Sequence, residues 1–128
     1  MKTIIQTPNA PAAIGTYSQA VKVGNHVYVS GQIPLDPQTM EMVSAHIEEQ
    51  IHQVFRNLGA VIQAAGGDFS QVVKLNVYLT DLSNFPFINK IMAEYISEPY
   101  PARAAVEVSA LPKGAQVEIE AVVVIDNE

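Results

Sequence analysis

The 128-residue chain carries 7 Lys and Arg against 13 Asp and Glu, a formal charge of -6 at neutral pH, and no cysteine. That balance opposes a role built on broad contact with phosphate backbones, so no nucleic-acid partner is expected. The missing thiol excludes a disulfide framework, a thiolate metal site and a cysteine nucleophile.

With 48% hydrophobic and 16% charged residues, the composition fits one globular domain, expected over residues 1–128. A charged share below the roughly 25% of ordinary domains favours a surface partly covered by copies of the same chain. Pro8 and Pro11 interrupt the N-terminal region before an apolar run of signal-peptide length develops, and no later segment approaches membrane-spanning length. A cytoplasmic protein with no membrane partner is expected.

Residues 7–16 combine prolines with Gly15 and read as an irregular lead-in. Residues 17–23 are extended, Gly24-Asn25 turns the chain, and residues 26–33 return as a β-branched and aromatic strand, so the two form a hairpin. Ser30-Gly31 ends that strand's apolar run, either as a bulge or as a place where a ligand approaches the backbone closely. A turn over 34–39 leads to a possible short strand at 40–43. Ser44 is read as a helix cap, with Glu48 and Glu49 in the first turn where the dipole favours carboxylates. Ile47, Ile51, Val54, Phe55, Leu58, Val61 and Ile62 recur at helical spacing until Gly66-Gly67. His46 and His52 are six residues apart, so they do not share a helix face, and His26 lies in the hairpin; no metal site is expected.

Residues 72–79 alternate, with Val73, Leu75, Val77 and Leu79 assigned to the core face. Asp81 to Asn84 supply cap residues, Pro86 suits a first helical turn, and Ile88, Ile91, Met92 and Tyr95 mark a second amphipathic helix that Pro99 closes. From residue 104 a strand alternates again, with Ala104, Val106 and Val108 assigned to the core and Arg103, Ala105 and Glu107 to the opposite face. Leu111 to Gly114 turn the chain, and residues 117–125 form a closing strand with Glu118 and Glu120 on one face. The order implies an α+β fold with one sheet and both helices on one of its faces.

Arg103 is one of few cations in an acidic chain, and it begins a strand. A guanidinium so placed grips a carboxylate with two parallel hydrogen bonds; on its own it reads equally as a strand-end cation paired with an acidic neighbour. If the strands around Pro112 to Gly114 pair as a hairpin, Arg103 and Glu118 stand on the order of 15 Å apart along the strand. One chain then cannot bring both to a small substrate, and a neighbouring copy is expected to supply one of them.

The blocks Tyr17-Ser18-Gln19-Ala20, Val29-Ser30-Gly31-Gln32-Ile33-Pro34, Pro101-Ala102-Arg103-Ala104-Ala105-Val106-Glu107-Val108 and Val117-Glu118-Ile119-Glu120, taken together and in this order, resemble the RidA/YjgF family. The resemblance implies a chorismate-mutase-like α+β fold with a single mixed sheet, assembled as a homotrimer with sheets facing inward and sites between subunits. It implies hydrolysis of 2-iminopropanoate and 2-iminobutanoate, the imine forms of 2-aminoacrylate and 2-aminocrotonate, without metal or organic cofactor. Carried onto this sequence, Arg103 holds the substrate carboxylate, Glu118 activates water, Tyr17 closes the pocket or relays a proton, and Ser30, Gly31 and Asn89 line it. Many relatives carry cysteine where this chain has Ala105; its backbone carbonyl still accepts a hydrogen bond from an imine nitrogen. A binding or chaperone-like role without turnover, and a ribonuclease or translation-inhibitor role, are the alternatives within the same resemblance.

Overall fold

Two-residue alternation and 3.6-residue periodicity in the sequence become six strands and two helices. The computed structural model describes residues 1–126; positions 127 and 128 of the expected domain lie outside the described residues. The strands are β1 (Lys2–Ile5), β2 (Ala20–Val23), β3 (His26–Gln32), β4 (Val72–Leu79), β5 (Ala102–Glu107) and β6 (Val117–Val124), and the helices are α1 (Ile47–Ala64) and α2 (Phe85–Tyr95). One sheet runs in the order β1-β2-β3-β6-β4-β5, with β4 and β5 parallel and the other neighbours antiparallel.

The helices cover one face. Ile51, Val54, Phe55, Leu58, Val61 and Ile62 of α1 and Ile88, Ile91 and Met92 of α2 bury against Val27, Val29, Leu75, Val77, Leu79, Val117, Ile119 and Val123. Each fully buried aliphatic or aromatic side chain contributes about 1.5–3 kcal/mol, so this layer fixes which way every strand residue points. No described helix is long and apolar enough to cross a membrane.

Strand β1 was not anticipated, and the extended segment expected at 17–23 is a strand only from Ala20. The segment 40–43 contributes a single bridge, Leu35 with Met42. Helix α1 starts after His46 rather than at Ser44; the Ser44 hydroxyl instead accepts the His46 N–H (3.0 Å). In β4 the register slips between Val72 and Lys74, so Val72 enters the core and Val73 is left 44% exposed on a bulge.

The largest correction concerns β5. It pairs with β4 and not with β6, so residues 104–109 and 117–125 are not a hairpin; β4 lies between them. The assignment of its faces also reverses. Arg103 is in register with Leu75, which in turn is opposite buried Ala121, and this row points to the helices. Ala104 and Val106 turn to the uncovered face, and Val106 is 47% exposed. The alternation expected for this strand is present with its phase reversed, because alanines and valines give little contrast on an edge strand.

Candidate active site

Parallel pairing of β5 beside α2 puts the Arg103 side chain over the helix. Its Nη1 donates to Asn89 Oδ1 (2.8 Å) and lies 3.6 Å from Met92 Sδ, while Cζ sits 4.9 Å from the centre of the Phe85 ring. An amide, a thioether and an aromatic face orient the guanidinium without neutralising it. Among the described residues Arg103 forms no ion pair; the one salt bridge there joins Lys90 and Glu48.

Open space flanks the guanidinium on two sides. One cleft of about 410 Å³ is lined by Asn89, Met92, Ala93, Tyr100, Pro101 and Arg103. A second, of about 510 Å³, is lined by Leu82, Ser83, Phe85, Pro86, Arg103 and Ala105. Two of the expected residues, Asn89 and Ala105, thus stand beside Arg103. Because Val108 N–H donates to Leu79 O (2.8 Å), strand alternation turns the backbone groups of Arg103, Ala105 and Glu107 toward the free edge of β5. The Ala105 carbonyl is therefore available to a ligand.

The other expected residues gather elsewhere. In β3 the register slips between Val29 and Gln32, so Ser30 and Gly31 form a bulge beside β6. Gly31 makes room for the Glu118 side chain: a Cβ at Gly31 would lie 2.8 Å from Glu118 Cδ and 3.1 Å from Cγ. Tyr17 and Gly31 line a common cleft of about 350 Å³ with Pro112 and Lys113. Tyr17 is 54% exposed, and its hydroxyl accepts the Ile14 N–H (3.3 Å). The Ser30 hydroxyl donates to Ser18 O (2.6 Å).

Glu118 is half-buried, and that desolvation, reinforced by the charge of Glu120, raises its carboxyl above the ordinary range. Such a group takes up a proton more readily than an exposed carboxylate. Tyr78, in register with Glu118, is likewise raised, first by burial and then by the charge of Glu120 and a hydrogen bond to it.

Arg103 and Glu118 point to opposite faces of the sheet, since Arg103 shares a row with Ala121 and Glu118 lies three residues away on β6. The chain therefore presents two half-sites. One holds Arg103, Asn89 and Ala105; the other holds Tyr17, Gly31 and Glu118 with Ser30 alongside.

Sequence reasoning missed the residues that shape these halves. Phe85 and Met92 beside Arg103 read as ordinary helix residues. Gln19 is buried and binds the lead-in together: its Nε2 donates to Thr7 O, Ala10 O and Pro11 O (3.0, 3.3 and 2.8 Å), and its Oε1 accepts the Thr7 N–H (2.7 Å). A lone Gln at a strand entrance carries no periodic signal by which to find it.

Residues 7–125 match the family model described as Endoribonuclease L-PSP. The chain is 56% identical to the RutC family protein y4sK of Sinorhizobium fredii, covering 93% of this chain and 94% of that one. It is 50% identical to the 2-iminobutanoate/2-iminopropanoate deaminase of Dermatophagoides farinae, covering 98% of each. The crystal structure of RidA from an Antarctic Psychrobacter superposes with a TM-score of 0.93 at 58% identity, covering 96% of this chain and 99% of that chain.

Proposed function

This chain belongs to the Endoribonuclease L-PSP family, the RidA/YjgF proteins, and from that membership we propose that it is a 2-iminobutanoate/2-iminopropanoate deaminase. It hydrolyses the C=N bond of 2-iminopropanoate or 2-iminobutanoate, releasing pyruvate or 2-oxobutanoate and ammonia. Deaminase relatives that match over nearly the whole chain support the reaction. The structural observation that carries it is Arg103, a cation without a carboxylate partner among the described residues, oriented by Asn89 and facing open clefts.

Arg103 binds the substrate carboxylate through two parallel hydrogen bonds, which fixes a ligand of very few atoms relative to water. The Ala105 carbonyl accepts the imine N–H. Water adds to the imine carbon as ionised Glu118 takes one of its protons, while the C=N electron pair moves to nitrogen, which takes a proton from solvent. Protonated Glu118 then returns its proton to the amine of the tetrahedral carbinolamine, the C–N bond breaks with its electron pair leaving on ammonia, and the hydroxyl loses its proton to solvent to give the 2-oxo acid. Tyr17 closes the pocket beside Gly31. The chain's own residues complete this cycle, with no metal or organic cofactor.

The two half-sites support a site shared between subunits: a chorismate-mutase-like homotrimer in which one protomer supplies Arg103, Asn89 and Ala105 and its neighbour supplies Glu118, Tyr17, Ser30 and Gly31. The uncovered sheet face favours self-association, because Ile4, Val23, Tyr28 and Val106 are exposed there. The protein works in the cytoplasm, where its substrates are short-lived products of amino-acid dehydratases.

The test couples a threonine or serine dehydratase to the purified protein, with semicarbazide trapping the free imine. The wild type suppresses the trapped adduct and speeds oxo-acid formation. Arg103→Ala loses two charge-assisted bonds, and its kcat/KM falls on the order of 100-fold or more. Trapping unchanged by the wild type would reject turnover and leave a ligand-binding role.

A further inference from the structure

We propose that Glu120, held by Asn76, is a positioning residue for hydrolysis that acts through Glu118. The proposal rests on the deaminase reading above and assigns a role to a carboxylate that the mechanism leaves unused.

Glu118 and Glu120 alternate onto the same uncovered face of β6. On one side, β4 presents Tyr78 in register with Glu118 and Asn76 in register with Glu120. Asn76 Nδ2 donates to Glu120 Oε2 (3.0 Å), and Tyr78 stands one row along on the same face of β4, beside Glu118. On the other side lies the β3 bulge, where Gly31 accommodates Glu118. Glu120 is thus tied down from β4 while the Glu118 side chain lies against Gly31 on the β3 side.

The other ionisable groups on this face are few. Lys74 lies one row along β4, in register with Val122, and Tyr28 and His26 lie on β3 opposite Val122 and Val124. No salt bridge joins Lys74 to either glutamate among the described residues. Glu120 stands beside the base, and burial followed by the charge of Glu120 raises the Glu118 carboxyl.

That charge serves the second half of the reaction. A carboxyl of ordinary acidity accepts a proton from water poorly and, once ionised at neutral pH, is seldom found protonated to assist departure of the amine. A neighbouring carboxylate makes Glu118 a better base and keeps its proton available for return. The Asn76 amide fixes the position of the neighbouring carboxylate, so that Glu120 influences the reaction without touching it.

The experiment compares wild type, Glu120→Gln, Tyr78→Phe and the conservative Glu120→Asp in the full-length protein. Readouts are the pH profile of kcat/KM and a direct carboxyl NMR titration of Glu118. Glu120→Gln is expected to move the acid limb and the Glu118 titration to lower pH and to reduce kcat at neutral pH by roughly tenfold, with Glu120→Asp recovering part of both. Tyr78→Phe, which removes the hydroxyl in register with Glu118, gives a smaller change in the same readouts. A Glu118 titration that coincides in wild type and a folded Glu120→Gln would overturn the proposal. An inactive wild type would reject the deaminase reading and this role with it, whereas an active wild type whose Glu118 titration is unmoved in Glu120→Gln would reject this role alone.

Discussion

The carboxylate of Glu118 occupies the space where a side chain at Gly31 would begin, with Cδ 2.8 Å from the position of a Cβ. Gly31 is not among the glycines with positive φ, so its backbone does not demand glycine; the approach of Glu118 does. Gly31→Ala is therefore expected to fold, at a cost of about 1 kcal/mol as the flexible carboxylate swings aside. It should lose roughly 10- to 100-fold in kcat because the base is displaced. A thermal melt together with steady-state kinetics separates the two effects; a normal kcat would show that Glu118 does not act from this position.

Placement of Arg103 and Glu118 on opposite sheet faces predicts complementation between inactive variants. Arg103→Ala and Glu118→Gln are each expected to be inactive alone. Co-refolded in equal amounts, they should regain roughly a quarter of wild-type activity, since a site takes its arginine from one random subunit and its glutamate from another, each intact half the time. Mixtures as inactive as their parents would exclude a shared site.

Stability should depend on pH through Glu118. Its carboxyl is raised in the folded chain from an ordinary value of 4.5 by burial and then by Glu120. The folded state thus holds the proton longer than the unfolded state, and stability falls as pH rises from that ordinary value through the raised one. Glu118→Gln should abolish this decline, becoming more stable than wild type at neutral pH while losing turnover. Denaturant midpoints measured from pH 4 upward, over a range bounded by the unfolded carboxylate value, check the sign; parallel curves for the two proteins would contradict it.

Gln19 holds the lead-in through four hydrogen bonds to Thr7, Ala10 and Pro11. Gln19→Ala leaves buried backbone groups unsatisfied and should cost about 2–4 kcal/mol. Because the Gln19 carbonyl also accepts the Ser30 N–H (2.9 Å), the disturbance reaches the bulge. Hydrogen exchange should show faster amide exchange at residues 7–19, with kcat/KM reduced more than the binding of a 2-oxo acid at Arg103.

The helices were legible because α1 repeats large aliphatic residues over four turns and α2 is bracketed by Asp81, Pro86 and Pro99. Strand β6 was legible for the same reason, its valines and isoleucine alternating with glutamates. Pairing was not. Nothing local distinguishes a β5 beside β6 from a β5 beside β4, since the choice depends on α2 carrying the chain back over the sheet. The phase of β5 is lost with it, which is why the sequence pattern assigns Arg103 to the face opposite the one it occupies. Gln19 and Phe85 escaped notice because their roles arise from contacts with segments distant in the fold, which no pattern within their own segments encodes.

The division of ionic groups between the two surfaces of one sheet has a consequence for dilution. On the shared-site proposal, a solitary chain, however well folded, owns an anchor without a base on one side and a base without an anchor on the other. Catalytic output would then fall with the square or a higher power of protein concentration once subunits separate, abruptly rather than in proportion.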